Sequence, residues 1–347
     1  MAKINISKNN FFHNLSIIEK KLGSKEKIAI VLKDNAYGHG IKEIAQLSKE
    51  FGITNAIVKN NNEALIIKNS FENILVLNDN LYDTFSHSFH ITINSLQDIS
   101  KVPENAIVHI KIDTGMHRNG ISQDELEACI LGLLEKKAQF YGLFTHHRSA
   151  DELSSEFFWQ NDQFMGIKAK TKKICEKLNI SLPHFHSCNS AGIFRTNTDD
   201  NNFNELYARV GIGAYGYIGN NNLLYEADLK PVLSLYASKV SSRKAIPSQK
   251  IGYGGKYTIS DNKTFQTIST YDIGYGDGFM RISDDKRYTT PDGYNILGRV
   301  SMDSISLDTD QDEVLLFDDV SVLAKLHDTI PYEILTSLKA NIKREIV

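Results

Sequence analysis

Cysteine is scarce in this chain: Cys129, Cys175 and Cys188 are the only three in 347 residues. An odd count without close pairs offers neither a disulfide framework nor a Cys-rich zinc site, and it points to a reducing compartment. Proline and glycine are also few, 6 and 22, which removes collagen-like and linker-dominated architectures. No apolar run approaches the ~18 residues needed to cross a bilayer, and the opening MAKINISKNNFFHNLS has neither the apolar core nor the cleavage site of a secretion signal. Charge of one sign is missing as well. Lys and Arg number 39 against 42 Asp and Glu, net −3, so there is no basic field to draw in nucleic acid or anionic membrane. These absences leave a cytoplasmic globular chain, 41% hydrophobic and 23% charged, with a small molecule as its expected partner.

Short apolar runs recur between residues 28 and 212: IAIVL (28–32), NAIV (55–58), ILVL (74–77), HITI (90–93), IVHIKI (107–112), QFYGLF (139–144), HFHS (184–187) and YARVGI (207–212). Helical patterns separate them. Ser122 and Glu125 have capping-box spacing before an apolar-periodic stretch to Lys137, and Ser154 to Leu178 is a long amphipathic run. This alternation predicts parallel βα units, and eight of them predict a closed (β/α)8 barrel of the TIM type. After about residue 230, period-two stretches such as LSLYASKV predict a mostly-β domain, with PYEILTSLKA helical near the end. The expected division is therefore a barrel over 1–228 and a β domain over 229–347, with the boundary in the turn-rich GNNNLLYEADLKP (219–231).

Several strings mislead. GIGAYG (211–216) fits a dinucleotide-binding pattern, but the YGYIGNNN that continues it cannot open the required helix. GYGGKY (252–257) lacks the spacing of a phosphate-cradling P-loop, and DTDQDE (308–313) lacks the glycine of an EF-hand, so no metal site is expected.

Polar residues at the strand ends are more telling. Lys33 directly follows IAIVL; Lys111, Asp113 and Arg118 follow IVHI; His146 follows QFYGLF; Asn189 and Ser190 follow HFHS; and Arg209 lies in ARVGIG. A lone lysine at a strand end is ordinarily just solvated. Parallel strands project such ends to one mouth, however, and together these residues compose an anion-binding, acid/base site.

Eight ordered segments, VLKDNAYGHG, VHIKIDTGMHRNG, HSCNSA, ARVGIGAYG, IGYGGKY, DIGYGDGFMR, GRVSMD and IPYEIL, resemble the alanine racemase family across essentially the whole chain. The resemblance implies a pyridoxal 5'-phosphate (PLP) enzyme with a barrel and a C-terminal β domain. It also implies a head-to-tail homodimer that interconverts L- and D-alanine and supplies D-alanine for peptidoglycan. Lys33 would be the lysine that carries PLP and one of two bases, and Tyr253 in IGYGGKY the second base on the opposite face. Tyr37, Asn189, Ser190, Gly211, Ile212 and Tyr332 would help hold the cofactor, its phosphate above all.

By the same resemblance Arg209 would face the pyridine nitrogen, where a permanent cation disfavours a proton and weakens the electron sink. Arg118 would contact the phenolic oxygen and the substrate, and Lys111 matches a lysine that is carbamylated in many members. His146 would lie against the ring, and a chain through His186 to Arg209 would assist Tyr253. Met302 and Asp303 would meet the substrate carboxylate. Asp151, Tyr275, Arg281, Arg299, Ile330 and Tyr332 would line the access corridor, although ordinary surface ion pairing explains its charged members equally well.

Three positions depart from the family pattern: Asp34 stands where a small residue is common, His147 and Arg148 where smaller or aromatic residues are usual, and Ser301 where a cysteine is common. They bear on pocket width and charge, and so on preference for alanine over serine or a longer amino acid. A broader-specificity racemase, a barrel decarboxylase and a non-catalytic PLP carrier remain the alternatives. The β-rich 230–347 and Tyr253 speak against the carrier, and YGGKY and SMD against the decarboxylase.

Overall fold

The structure, a computed structural model, describes residues 1–79, 89–195, 204–218, 227–262 and 264–347. Residues 219–226 of the expected domain boundary lie outside them. The chain divides into two compact units. A barrel unit comprises 12–34 and 44–229, and a sheet unit comprises 1–11, 35–43 and 230–347.

Strand β1 (Lys3–Ile6) belongs to the sheet unit, which corrects the expected assignment of all of 1–228 to the barrel. Its alternating residues Ile4 and Ile6 are fully buried, and it pairs antiparallel with β10 (Leu233–Ala245) and parallel with β16 (Lys343–Ile346). Helix α1 (Lys8–Leu22) follows.

Eight parallel strands form the barrel. They are β2 (Ile28–Val31), β3 (Asn55–Val58), β4 (Asn73–Val76), β5 (Phe89–Ile93), β6 (Ile107–Lys111), β7 (Gln139–Phe144), β8 (His184–His186) and β9 (Ala208–Val210). They pair in the order β8-β7-β6-β5-β4-β3-β2-β9. Between the two ends a parallel bridge, Asn189 with Arg209, lies just past β8, and the Arg209 N–H donates to the Cys188 carbonyl at 2.9 Å. Such strands are covered on both faces, so they read as continuous apolar runs. The connecting helices include α3 (Ile41–Phe51), α4 (Asn61–Ile67), α5 (Leu126–Glu135), α6 (Glu156–Leu178) and α7 (Ser190–Arg195). α5 starts at Leu126 rather than at the capping-box serine; Glu125 still accepts the Ser122 N–H at 2.7 Å.

In the sheet unit β13 (Gln266–Tyr271) and β14 (Ile305–Leu307) extend one side of β10, and β15 (Glu313–Phe317) pairs with β10 farther along. A small ribbon, β11 (Lys250–Ile251) with β12 (Tyr257–Thr258), packs Ile251 and Tyr257 on Ala245, Ile259, Ile268 and Leu297. Helices α8 (Ser321–Leu326) and α9 (Pro331–Ser337) complete the unit, α9 falling within the expected PYEILTSLKA.

Candidate active site

Lys33 follows β2 and opens α2 (Lys33–Tyr37), in which Asp34, Asn35, Ala36 and Tyr37 all have φ between +53° and +55°. This is a left-handed helical turn, at about 1–2 kcal/mol per L-residue, and it persists only where surrounding contacts dictate it. Glu63 supplies one such contact. Its carboxylate accepts the N–H of Asp34 (2.7 Å) and of Lys59 (2.8 Å), while Lys59 Nζ pairs with Asp34 Oδ1 at 2.9 Å. Farther along, Asn35 Oδ1 accepts the Ile41 N–H at 2.9 Å, and the buried His39 donates Nδ1–H to the carbonyls of Tyr37 (3.0 Å) and Ala36 (3.2 Å). Burial pushes the Lys33 amine below the usual lysine value; Asp34 opposes this, and Arg118 and Lys59 reinforce it.

Other barrel strands bring cations to the same end. Lys111, on the last position of β6, is 7% exposed and donates to Asn119 Oδ1. Burial first, and then Arg118 and Arg209, push its amine down to about 8. Arg118 is exposed and makes no hydrogen bond or ion pair among the described residues. Arg209 is buried and tightly held: Nη1 donates to the His186 carbonyl (3.2 Å) and reaches His186 Nδ1 (3.0 Å), while Nη2 donates to the carbonyls of Thr145 (2.7 Å) and Ser187 (2.8 Å). Its Nε–H has no partner among the described residues. His146 Nδ1 lies 3.5 Å from Arg209 Nη2, and burial with the Arg209 charge keeps the imidazole well below its ordinary value, hence neutral.

The segment after β8 and β9 forms a polar cradle. Asn189 Oδ1 accepts the Gly192 N–H at 2.8 Å, and Ser190 Oγ accepts those of Gly211 and Gly213, each at 3.1 Å. The Gly211 N–H, expected to face a bound phosphate, is thus used internally. The Ile212 N–H has no partner among the described residues, and the Ser190 hydroxyl, already accepting twice, keeps its own proton to donate.

The remaining predicted residues, Asp151 apart, lie in the sheet unit. Tyr37 and Tyr332 meet with ring centroids 5.9 Å apart. Tyr253 is 65% exposed on the turn between β11 and β12, where Gly252, Gly254 and Gly255 all have positive φ. Met302 and Asp303 are exposed, and the Met302 carbonyl accepts the Gly276 N–H at 2.7 Å. Arg281 covers the Tyr275 ring at 5.1 Å, Arg299 is held by Asp284, and Ile330 is 39% exposed. Asp151, in the barrel unit, is half-buried.

Residues 6–219 match the family description "Alanine racemase, N-terminal domain", and residues 232–346 match "Alanine racemase, C-terminal domain". The chain belongs to the alanine racemase family. It is 43% identical over 345 residues to the alanine racemase of a Nitratiruptor species, covering 99% of each chain. It is 40% identical over 347 residues to that of Campylobacter curvus, covering 100% of each. Among solved structures, alanine racemase of Clostridium difficile 630 superposes with a TM-score of 0.84 at 28% identity, over 100% of this chain and 95% of that one.

One expectation drawn from the alanine racemase resemblance fails on geometry. A chain from Tyr253 through His186 to Arg209 would require a ring nitrogen of His186 for the tyrosine. His186 is fully buried, its Nδ1 taken by Arg209 and its Nε2 by His109 Nδ1 at 3.0 Å. His146 is the imidazole beside Arg209 that still has a nitrogen, Nε2, without a partner among the described residues.

Sequence reasoning passed over His109 and His90, which continue this array, and Glu205, which accepts the Ser187 N–H and hydroxyl, each at 2.6 Å. The available signal was period two: His109 and Lys111 share one face of β6, where an apolar residue is the rule.

Proposed function

We propose that this chain interconverts L-alanine and D-alanine with PLP, Lys33 and Tyr253 acting as the two bases. The observation that carries the reading is the Lys33 amine, held below its ordinary proton affinity on a strained turn at the C-terminal end of a barrel strand. The donor set fits the cofactor: an Ile212 N–H and Ser190 hydroxyl suit a phosphate, and an Arg209 Nε–H suits an aromatic nitrogen. Tyr37, Asn189, Gly211 and Tyr332 complete the cofactor set in this reading.

When bound, PLP stabilises the carbanion left by α-proton removal. Lys33 exchanges the α-proton on one face, and Tyr253 on the other. Arg209, immobilised by carbonyl oxygens, presents a permanent cation that keeps a proton off the aromatic nitrogen. Arg118 orients the substrate together with Met302 and Asp303, and Lys111, through Asn119, anchors the loop that carries Arg118. A neutral His146 connects the tyrosine hydroxyl to Arg209. In this reading the protein is a cytoplasmic homodimer with shared sites that supplies D-alanine to cell-wall synthesis. Among the described residues no helix is long and apolar enough to cross a membrane.

The test is borohydride reduction of the PLP-loaded protein with peptide mapping, alongside assays of L-Ala, D-Ala, L-Ser and L-Lys. The expected result is label on the Lys33 peptide and interconversion of the alanines. Label on another lysine, or racemisation of lysine in preference to alanine, overturns the reading.

A further inference from the structure

Four buried groups on four barrel strands are joined in line. Arg209 on β9 reaches His186 Nδ1 on β8 at 3.0 Å, His186 Nε2 reaches His109 Nδ1 on β6 at 3.0 Å, and His109 Nε2 reaches His90 Nδ1 on β5 at 2.9 Å. His186 and His109 are fully buried and His90 is 4% exposed. Guanidinium can only donate, and a neutral imidazole has one donor and one acceptor. If Arg209 donates to His186 Nδ1, the His186 proton must sit on Nε2 and point at His109. The same logic places the His109 proton on Nε2, pointing at His90, and the His90 proton on its own Nε2.

We propose that His186, His109 and His90 form a directional hydrogen-bond chain, polarised by Arg209, that fixes the guanidinium in place and makes His109 and His90 positioning residues of this site. The fold provides room for the middle link. Gly142 on β7 stands opposite His109 in register, and a Cβ there would come within 2.7 Å of His109 Cε1, so no other residue leaves space for the ring. The groups around the chain are Arg209, the exposed His184, and the phenols of Tyr141 and Tyr207. The Glu205 carboxylate acts on Arg209, and among the described residues no carboxylate acts on His109 or His186 to stabilise a second cation. Burial accordingly holds His90 down to about 4, and His109 and His186 well below the usual imidazole value, which keeps one acceptor nitrogen per ring. Such a chain orients Arg209 more firmly than one hydrogen bond, because each link polarises the next.

The inference rests on the proposed function only where it calls Arg209 a cofactor-facing group; the chain itself is testable without cofactor. The experiment is ¹⁵N–¹H correlation of ring-labelled histidines in the cofactor-free and PLP-loaded protein from pH 5.5 to 8.5. The expected result is three neutral rings protonated at Nε2, none titrating in that range. A ring protonated at Nδ1, or titrating near 6.5, overturns the proposal. In Gly142→Ala, whose added methyl presses on the His109 ring and leaves His90 and His186 themselves unaltered, the His90 and His186 signals should both move to mixed tautomers. A His90 signal unchanged in a folded Gly142→Ala shows no coupling and overturns it too. His109→Gln can accept from His186 and donate to His90, so it should keep the His186 tautomer and most of the activity that His109→Leu loses; equal loss in both contradicts a positioning role. Failure of the borohydride labelling at Lys33 would leave these spectra untouched, so the two readings fail separately.

Discussion

Single residues here are tuned by burial more than by partners. Lys111 shows the energetic consequence. Its folded-state value of about 8, against 10.5 ordinarily, means that between these pH values the unfolded chain holds a proton that the folded chain has released. Stability must therefore rise with pH across that window, by an amount on the order of 3 kcal/mol. Lys111→Met removes the cation and its share of the pH dependence. In carbonate-free buffer, urea unfolding should show wild type gaining more stability from pH 8 to 10 than the variant gains, with the variant the more stable of the two at pH 7. Parallel curves for the two proteins would show that Lys111 is not a buried, neutral-leaning amine. His146 and the barrel histidines obey the same rule in a lower window: their folded values lie well below the ordinary 6.5, so below about pH 6.5 the unfolded chain holds protons that the folded chain lacks, and stability rises as pH climbs toward neutrality.

At the scale of elements, the turn after β2 combines chemistry and strain. Gly38, at φ +79°, ends it, and a Cβ there would collide with the carbonyl oxygen of Leu335 in α9. Gly38→Ala adds a strained φ to a backbone clash, so a loss of more than about 2 kcal/mol is expected. Thermal unfolding checks it; a Tm within a degree of wild type would mean the turn is free to shift. Asn60 caps α4 by accepting the Glu63 N–H at 3.0 Å, and Glu63 in turn holds Asp34 and Lys59. Asn60→Ala should cost about 1 kcal/mol and loosen the turn, seen as faster amide exchange at Asp34. Exchange at Asp34 unchanged in that variant would uncouple the cap from the turn.

Much of this level was legible in the sequence. All eight barrel strands lie within about two residues of the predicted runs, because strands covered on both faces are mostly apolar even where β5, β6, β8 and β9 carry buried polar residues. The place of β1 was not legible: KINI alternates like any half-buried strand, and nothing in four residues tells which sheet it joins. Lys33 and Arg209 stood out as members of a set of polar residues at strand ends that converge on one mouth. His90 and His109 did not, since hydrogen-bond direction exists only once four strands are in register.

For the whole molecule, the proposed bases lie on different compact units, Lys33 in the barrel unit and Tyr253 in the sheet unit. In the proposed homodimer Tyr253 of one protomer serves Lys33 of another, so specific activity should fall on dilution in step with dimer content measured by sedimentation. Full activity in a dilute, monomeric sample would contradict the shared site. The exposure of Tyr253, 65%, means that its hydroxyl can be removed without opening a cavity, so Tyr253→Phe isolates chemistry from folding. In deuterated water the PLP-loaded variant should still exchange the α-hydrogen of D-alanine, whose proton the family resemblance directs at Lys33. Exchange from L-alanine should be very slow, and racemisation in both directions should collapse, because each direction needs both bases. Near wild-type racemisation by Tyr253→Phe, or equal exchange from both enantiomers, would contradict the two-base assignment.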